Sequence, residues 1–135
     1  MDSYFAFCAE TLLELPAQTP AAFGDTLYRL PDGCPDLSGL KVLRAGLCLG
    51  ERRKNRFEPD HALALALRPE QVRQSIDLPP DGPEVLRYLR GETLAIDPAL
   101  SGYVLVCTGG FSLGWGKAAQ GILKNHYPKG LRRLG

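Results

Sequence analysis

YVLVCTGGFSLGWGKAAQGILKNHYPKGLRR, residues 103–133, begins apolar and ends cationic. Tyr103 to Cys107 form a short apolar run. Gly109-Gly110 interrupt it as a hairpin turn does. Phe111, Leu113 and Trp115 alternate with Ser112, Gly114 and Gly116, which is the period of a strand. Beyond that point every charged side chain is positive: Lys117, Lys124, Lys129, Arg132 and Arg133. The last acid is Asp97. A cationic, glycine-punctuated segment with Trp115, His126 and Tyr127 has the composition of a nucleic-acid contact. Cations neutralise phosphates, rings stack on bases, and glycines let the backbone come close. The same composition fits a hairpin with a solvated basic tail.

The whole chain, 135 residues with 44% hydrophobic and 23% charged, has the length and balance of one domain with a real core. Its net charge of +1 gives no sign of a polyanion partner, but the distribution of charge does. Residues 1–36 hold six acids and one base, whereas residues 98–135 hold five bases and no acid. Local field matters more for binding than the sum. Cys8, Cys34, Cys48 and Cys107 include no C-x-x-C pair, so a zinc knuckle or redox pair is not expected. Cys48 and Cys107 lie in apolar runs and read as core residues. No basic leader precedes MDSYFAFC and no apolar stretch approaches membrane-spanning length, so a cytoplasmic, reduced protein away from membranes is expected.

Upstream of the hairpin, residues 2–15 have loosely helical spacing, ended by Pro16 and Pro20. This acidic segment reads as an arm leading into the core fold. Phe23–Leu30 is predicted as a strand, and Pro31-Asp32-Gly33 as a turn. Leu40–Leu49 is predicted as a strand closed by Gly50-Glu51. Arg52, Arg53, Lys54 and Arg56 follow, four cations in five residues. They form either a solvated turn with weak ion pairs to Glu51 and Glu58 or a phosphate-contacting loop. Pro59-Asp60 introduces a short helix over HALALALR, in which strict alternation of leucines would equally suit a strand. Pro69 opens a second helix, PEQVRQSID, and Pro83 a third, PEVLRYLR, with Val85, Leu86 and Leu89 inward and Gly91 as its stop. Glu92–Ile96 is predicted as a strand. The order of elements predicts an α+β domain, a partly closed barrel with three short helices packed outside.

Enzyme chemistry has little support in these residues. There is no G-x-S-x-G, H-E-x-x-H or P-loop, and no strand–glycine-loop–helix for a cofactor. Two histidines, His61 and His126, are too few for a histidine-built metal site. Cys34, beside Pro35, is the most exposed thiol candidate, and nothing near it in sequence would activate it.

Three segments carry a resemblance: VLRAGLCLGERRKNRFEPDHALALAL at 42–67, YLRGET at 88–93, and GWGKAAQGILKNHYPKGLR at 114–132. In this order and spacing they resemble the C-terminal RNA-binding module of RsmF-type enzymes. Those belong to the Sun-related RNA cytosine-C5 methyltransferases. The resemblance implies a PUA-like pseudo-barrel over residues 40–135, preceded by a lead-in segment over 1–39. It implies docking of structured RNA, ribosomal RNA or the small ribosomal subunit, for a methyltransferase domain in cis or in trans. It also implies two walls of an RNA face: Arg52, Arg53, Lys54 and Arg56 on one side, and Lys117, Lys124, Lys129, Arg132 and Arg133 on the other. Asn125, His126 and Tyr127 would touch bases or sugars. Trp115 and Phe57 read as core residues. The family's catalytic half binds S-adenosylmethionine and attacks the ring with a cysteine in a Pro-Cys context. This chain has Cys34-Pro35, the reverse order, and no Pro-Cys. No cofactor and no catalytic residue are therefore expected within it. The alternative is a protein-interaction module that sets its basic face against an acidic partner.

Overall fold

Gly102–Thr108 and Phe111–Ala119 form the antiparallel hairpin that their periodicity predicts, in a computed structural model describing residues 2–16, 19–30 and 46–132. Gly109 and Gly110 turn it at φ of 55° and 82°, and Asp77 holds the turn by accepting both of their N–H groups at 3.0 and 2.8 Å.

The hairpin sits at the centre of a five-stranded sheet. In chain order its strands are Ser75–Leu78 (β5), Leu94–Ala95 (β6), Gly102–Thr108 (β7), Phe111–Ala119 (β8) and Ile122–Asn125 (β9). Their order across the sheet is β5-β7-β8-β9-β6, with β5 parallel to β7 and the other pairs antiparallel. A second, antiparallel sheet holds Ala21–Phe23 (β1), Thr26–Arg29 (β2), Leu47–Arg53 (β3) and Arg56–Pro59 (β4), in sequence order. Among the described residues three α-helices complete the fold: Asp2–Thr11 (α1), His61–Ala66 (α2) and Pro83–Leu89 (α3). The architecture is the expected α+β, PUA-like pseudo-barrel.

β7 is apolar on both faces because each face serves a separate core. Leu105 and Cys107 join Phe57, Leu63, Trp115 and α1 in the first core. Val104 and Val106 join Leu78, Tyr88, Leu94 and Leu123 in the second. β8 breaks its own alternation to match. The register shifts between Val106↔Gly114 and Cys107↔Ser112, leaving Leu113 as the extra residue of a bulge. Leu113 therefore packs on the second core while Trp115, 2% exposed, lies in the first. Phe111, 77% exposed, lies beyond both.

Several expected elements are revised. The second predicted helix is a single 3-10 turn, Pro69–Gln71, followed by β5. Ser75, Ile76, Asp77 and Leu78 alternate exposed and inward, and a parallel ladder with β7 outweighs local helix preference. Phe23–Leu30 is a hairpin, because Gly24 takes φ of 63° and turns the chain. β3 runs through Gly50-Glu51 to Arg53, so the basic run forms a strand end, a turn at Lys54-Asn55 and the start of β4. In α3 the buried residue is Tyr88, and Leu86 is 45% exposed, since one helical step turns it out of the inward face. The expected boundary at 39/40, Cys34 and the turn at 31–33 lie outside the described residues.

The acidic N-terminal segment is not an arm. Tyr4, Phe7, Cys8 and Leu12 are core residues, and the Phe7 ring lies 5.1 Å from Phe57, 5.6 Å from Tyr103 and 5.8 Å from Trp115. Phe7→Ala should therefore cost about 3–5 kcal/mol in a urea titration, the usual cost of truncating a buried phenylalanine. A loss below about 1 kcal/mol would mean that α1 is an appendage.

Candidate nucleic-acid interface

The candidate surface lies where the first core opens between β4 and the β7–β8–β9 ladder. Cross-strand register sets it out. Tyr103 pairs with Lys117, and Lys117 pairs with Lys124, so three side chains form one row across three strands. Two ammonium groups directly opposite each other on neighbouring strands destabilise a sheet. The Lys117 ammonium lies 5.2 Å from the centroid of the Tyr103 ring, a cation–π contact.

Arg56 approaches this row from β4. Its position depends on how β3 and β4 cross. Gly50 has φ of 148°, and a Cβ there would come within 2.6 Å of the Phe57 ring and 2.9 Å of the Pro59 Cα. Only glycine lets the strands close this tightly. Asn55, at φ of 63°, turns the hairpin at its tip. Arg56, Tyr103, Lys117, Lys124, Asn125 and His126, with Glu58, line a depression of about 310 Å³. Glu58, its one acid, is bonded to Arg53 Nε at 3.0 Å. Among the described residues neither Arg56, Lys117 nor Lys124 forms an ion pair.

The fold thus brings one cation of the first predicted wall together with two of the second. The other cations differ in their surroundings. Arg52 donates from Nη2 to the Gly24 carbonyl at 2.7 Å, which ties it to the β1–β2 turn, and its Nε is buried without a partner. Arg53 lies between Glu51 and Glu58, each at 3.0 Å, and these carboxylates raise its pKa, Glu58 most of all. Arg132 donates from Nε to the Tyr127 carbonyl at 3.1 Å and lies over Gly91. Lys54 and Lys129 are exposed. Arg133 lies outside the described residues.

The three polar residues that follow Lys124 have structural duties. Asn125 donates from Nδ2 to the carbonyls of Tyr88 and Glu92 and accepts from the Tyr127 N–H at 2.8 Å. Tyr127 packs in the second core, its ring 5.4 Å from both Tyr88 and His61. His126 keeps a share in the depression. Its ring meets Tyr103 edge-on at 5.6 Å, and desolvation, then Lys117 and Lys124, lower its pKa. The imidazole is therefore neutral at pH 7 and able to accept a hydrogen bond. His61 is also lowered by burial, and its Nδ1 is buried without a partner.

Tyr103 is the site residue that sequence reasoning missed. In sequence it heads an apolar run; only the register places it beside Lys117. Burial foremost, and then Glu58, raise its pKa, so the hydroxyl stays protonated. The three thiols among the described residues are unsuited to nucleophilic work. Burial raises Cys8 and Cys107, and it pushes Cys48 up to about 11.

This arrangement can neutralise phosphates along a row of cations and offer an aromatic ring beside them. Comparison with known proteins agrees with the fold. Residues 6–67 match the model of the RsmF rRNA methyltransferase first C-terminal domain, and residues 75–133 match that of the methyltransferase RsmF PUA domain. The chain is similar to ribosomal RNA small subunit methyltransferase F of Shewanella oneidensis, 31% identical over 130 residues, which cover 93% of this chain and 27% of that protein. The proteins of the same name from Shewanella putrefaciens and Shewanella sp. W3-18-1 are each 29% identical over 125 residues, 88% of this chain and 25% of theirs. The chain spans about a quarter of the length of these relatives. Two adjoining family models and relatives that match nearly all of this chain agree, and the chain belongs to the RsmF rRNA methyltransferase family, as its C-terminal region with the PUA domain.

Proposed function

We propose that this chain docks structured ribosomal RNA for cytosine-C5 methylation, as the accessory part of an S-adenosylmethionine-dependent enzyme whose catalytic domain acts in cis or in trans. The observation that carries the reading is the convergence of Arg56, Lys117 and Lys124 on one depression. A sheet that sets two lysines opposite each other gives up stability, and a polyanion restores it. The name of the relatives, ribosomal RNA small subunit methyltransferase F, supports RNA of that subunit as the polyanion. S-adenosylmethionine is not proposed as a ligand here. The loop between β5 and α3 starts with Pro79-Pro80, which have no N–H to offer a carboxylate.

The contact is electrostatic, so its affinity for a small-subunit ribosomal RNA fragment should fall steeply between 50 and 200 mM salt. Replacing Arg56, Lys117 and Lys124 together by alanine should reduce the slope of log affinity against log salt by roughly 2–3, about 0.7–0.9 for each cation. Arg52→Gln should leave the slope in place, because that guanidinium is held by Gly24. Filter binding at a series of salt concentrations measures both. Salt-independent binding, or a triple variant that binds like wild type, would reject the proposal.

Affinity and stability should respond to pH in opposite directions. Lys117, Lys124 and Arg132 surround His126, with Glu58 the opposing acid. An RNA phosphate beside this imidazole favours its charged form, so binding takes up a proton and tightens as pH falls from 8 to 6. In the free protein the shift has the other sign. His126 lies below its ordinary value of 6.5, so the unfolded chain binds the proton more readily. Stability is then complete above pH 6.5 and falls as pH drops through the window below it. His126→Gln should flatten the affinity profile and remove part of the acid-side fall in Tm. An unchanged affinity profile in that variant would remove His126 from the interface.

A further inference from the structure

The depression lined by Lys124 and His126 does not end at Tyr103. A second one, of about 250 Å³, lies on the other side of that ring, between α1 and the β3–β4 hairpin. Arg56, Tyr103 and Lys117 line both. The two differ in character. The β9-side depression is lined by three cations, Arg56, Lys117 and Lys124, and its acid is bonded to Arg53. The α1-side depression adds the rings of Phe7 and Phe57, the Asn55 amide and the acid Glu10. A phosphate is drawn to the first and repelled from the end of the second that carries Glu10. A flat, donor-bearing ring fits the second, with apolar walls and polar acceptors at the rim.

Resting on the RNA-docking reading, we propose that one unpaired nucleotide is seated at this junction, its base over Tyr103 in the α1-side depression and its phosphates on Arg56, Lys117 and Lys124. Lys117 acts as the latch. In the free protein its ammonium covers the face of Tyr103 at 5.2 Å from the centroid. A base needs that face, and a phosphate needs that ammonium, so one movement of Lys117 serves both. Duplex RNA cannot use the shelf, because base faces are exposed only where nucleotides are unpaired. The partner chemistry is therefore a bulged or looped RNA, not a continuous helix. Glu10 accepts only, which favours bases with Watson–Crick donors, guanine foremost with two side by side.

Two RNAs test the inference: a perfect duplex hairpin, and the same hairpin with one bulged 2-aminopurine. The bulged RNA should bind the 135-residue chain roughly tenfold tighter, the scale of one base stacked on an aromatic ring. The 2-aminopurine fluorescence should change as the base stacks. Tyr103→Phe should keep the preference, and Tyr103→Leu should abolish it without changing affinity for the duplex. A bulged guanine should bind more tightly than a bulged uracil. Since Tyr103 also touches Phe7 and Trp115, a thermal melt of the leucine variant accompanies the titration. If that variant unfolds, the fluorescence of the wild-type complex decides alone. Equal affinity for the two RNAs with no fluorescence change overturns the shelf and leaves a phosphate track. Failure to bind either RNA overturns the docking function itself.

Discussion

One strand has to wall two cores at once, and the rest of the molecule follows from how β8 does so. Trp115 fills the first core, and its indole N–H donates to the Asp60 carbonyl at 3.1 Å. The Trp115 carbonyl accepts the Tyr88 hydroxyl at 2.8 Å, from the second core, and the His126 N–H at 3.2 Å. A single residue thus joins both cores and the turn after β9. Gly114 and Gly116 flank it, and neither has a positive φ. Their role is space. A Cβ on Gly114 would sit 2.5 Å from the Tyr88 hydroxyl, and one on Gly116 would sit 2.5 Å from the Leu123 side chain. Glycine on each side of tryptophan lets large residues reach the strand from the face that the indole leaves. The motif is a packing device and not a ligand cradle.

That device fixes the candidate site. Lys117 is two residues past Trp115, on the same face, and emerges where the first core meets solvent. Tyr103 and Lys124 flank it on the neighbouring strands by register alone. Arg56 arrives because Phe57, the next residue, is anchored in the same core as Trp115. α1 closes the other side through Phe7. The cations therefore stand on a rigid floor whose aromatic rings meet edge to face at 5–6 Å. Cations anchored on a rigid floor lose less entropy on binding than charges on a mobile tail.

How much of this was legible in the sequence depended on whether the signal was local. The turn at Gly109-Gly110, the helix after Asp60 and the stop at Gly91 were readable from two or three residues each. So was the basic character of both clusters. The parallel strand at 75–78 was hidden behind Pro69 and Glu70, which announce a helix and deliver one turn. Ser75 to Leu78 do alternate, but over four residues that signal is weak beside a proline start. The role of α1 was hidden by its charge, since Asp2, Glu10 and Glu14 drew attention from the buried Tyr4, Phe7 and Cys8. Tyr103 could not be found at all without the register. The basic residues divided for a related reason: spacing showed that Arg52, Arg53 and Arg56 were close, but not that a strand would point them to different neighbours.

The net charge is low because bases outnumber acids by only one, 16 against 15, yet the fold distributes them unevenly. Glu51 and Glu58 face Arg53 across the β3–β4 ladder and hold it in a local network. The acids of α1 point outward from a helix that is itself part of the core, and Glu10 reaches only the far end of the groove. Glu58 shares the depression with Lys117 and Lys124, but its carboxylate is bonded to Arg53. Fields fall off over about one Debye length, roughly 8–10 Å in physiological salt, so a phosphate at the row responds to its nearest cations. A nearly neutral chain can in this way present a strongly positive face. The acids that cancel the sum also limit where a polyanion can extend, which turns a basic surface into a directed one.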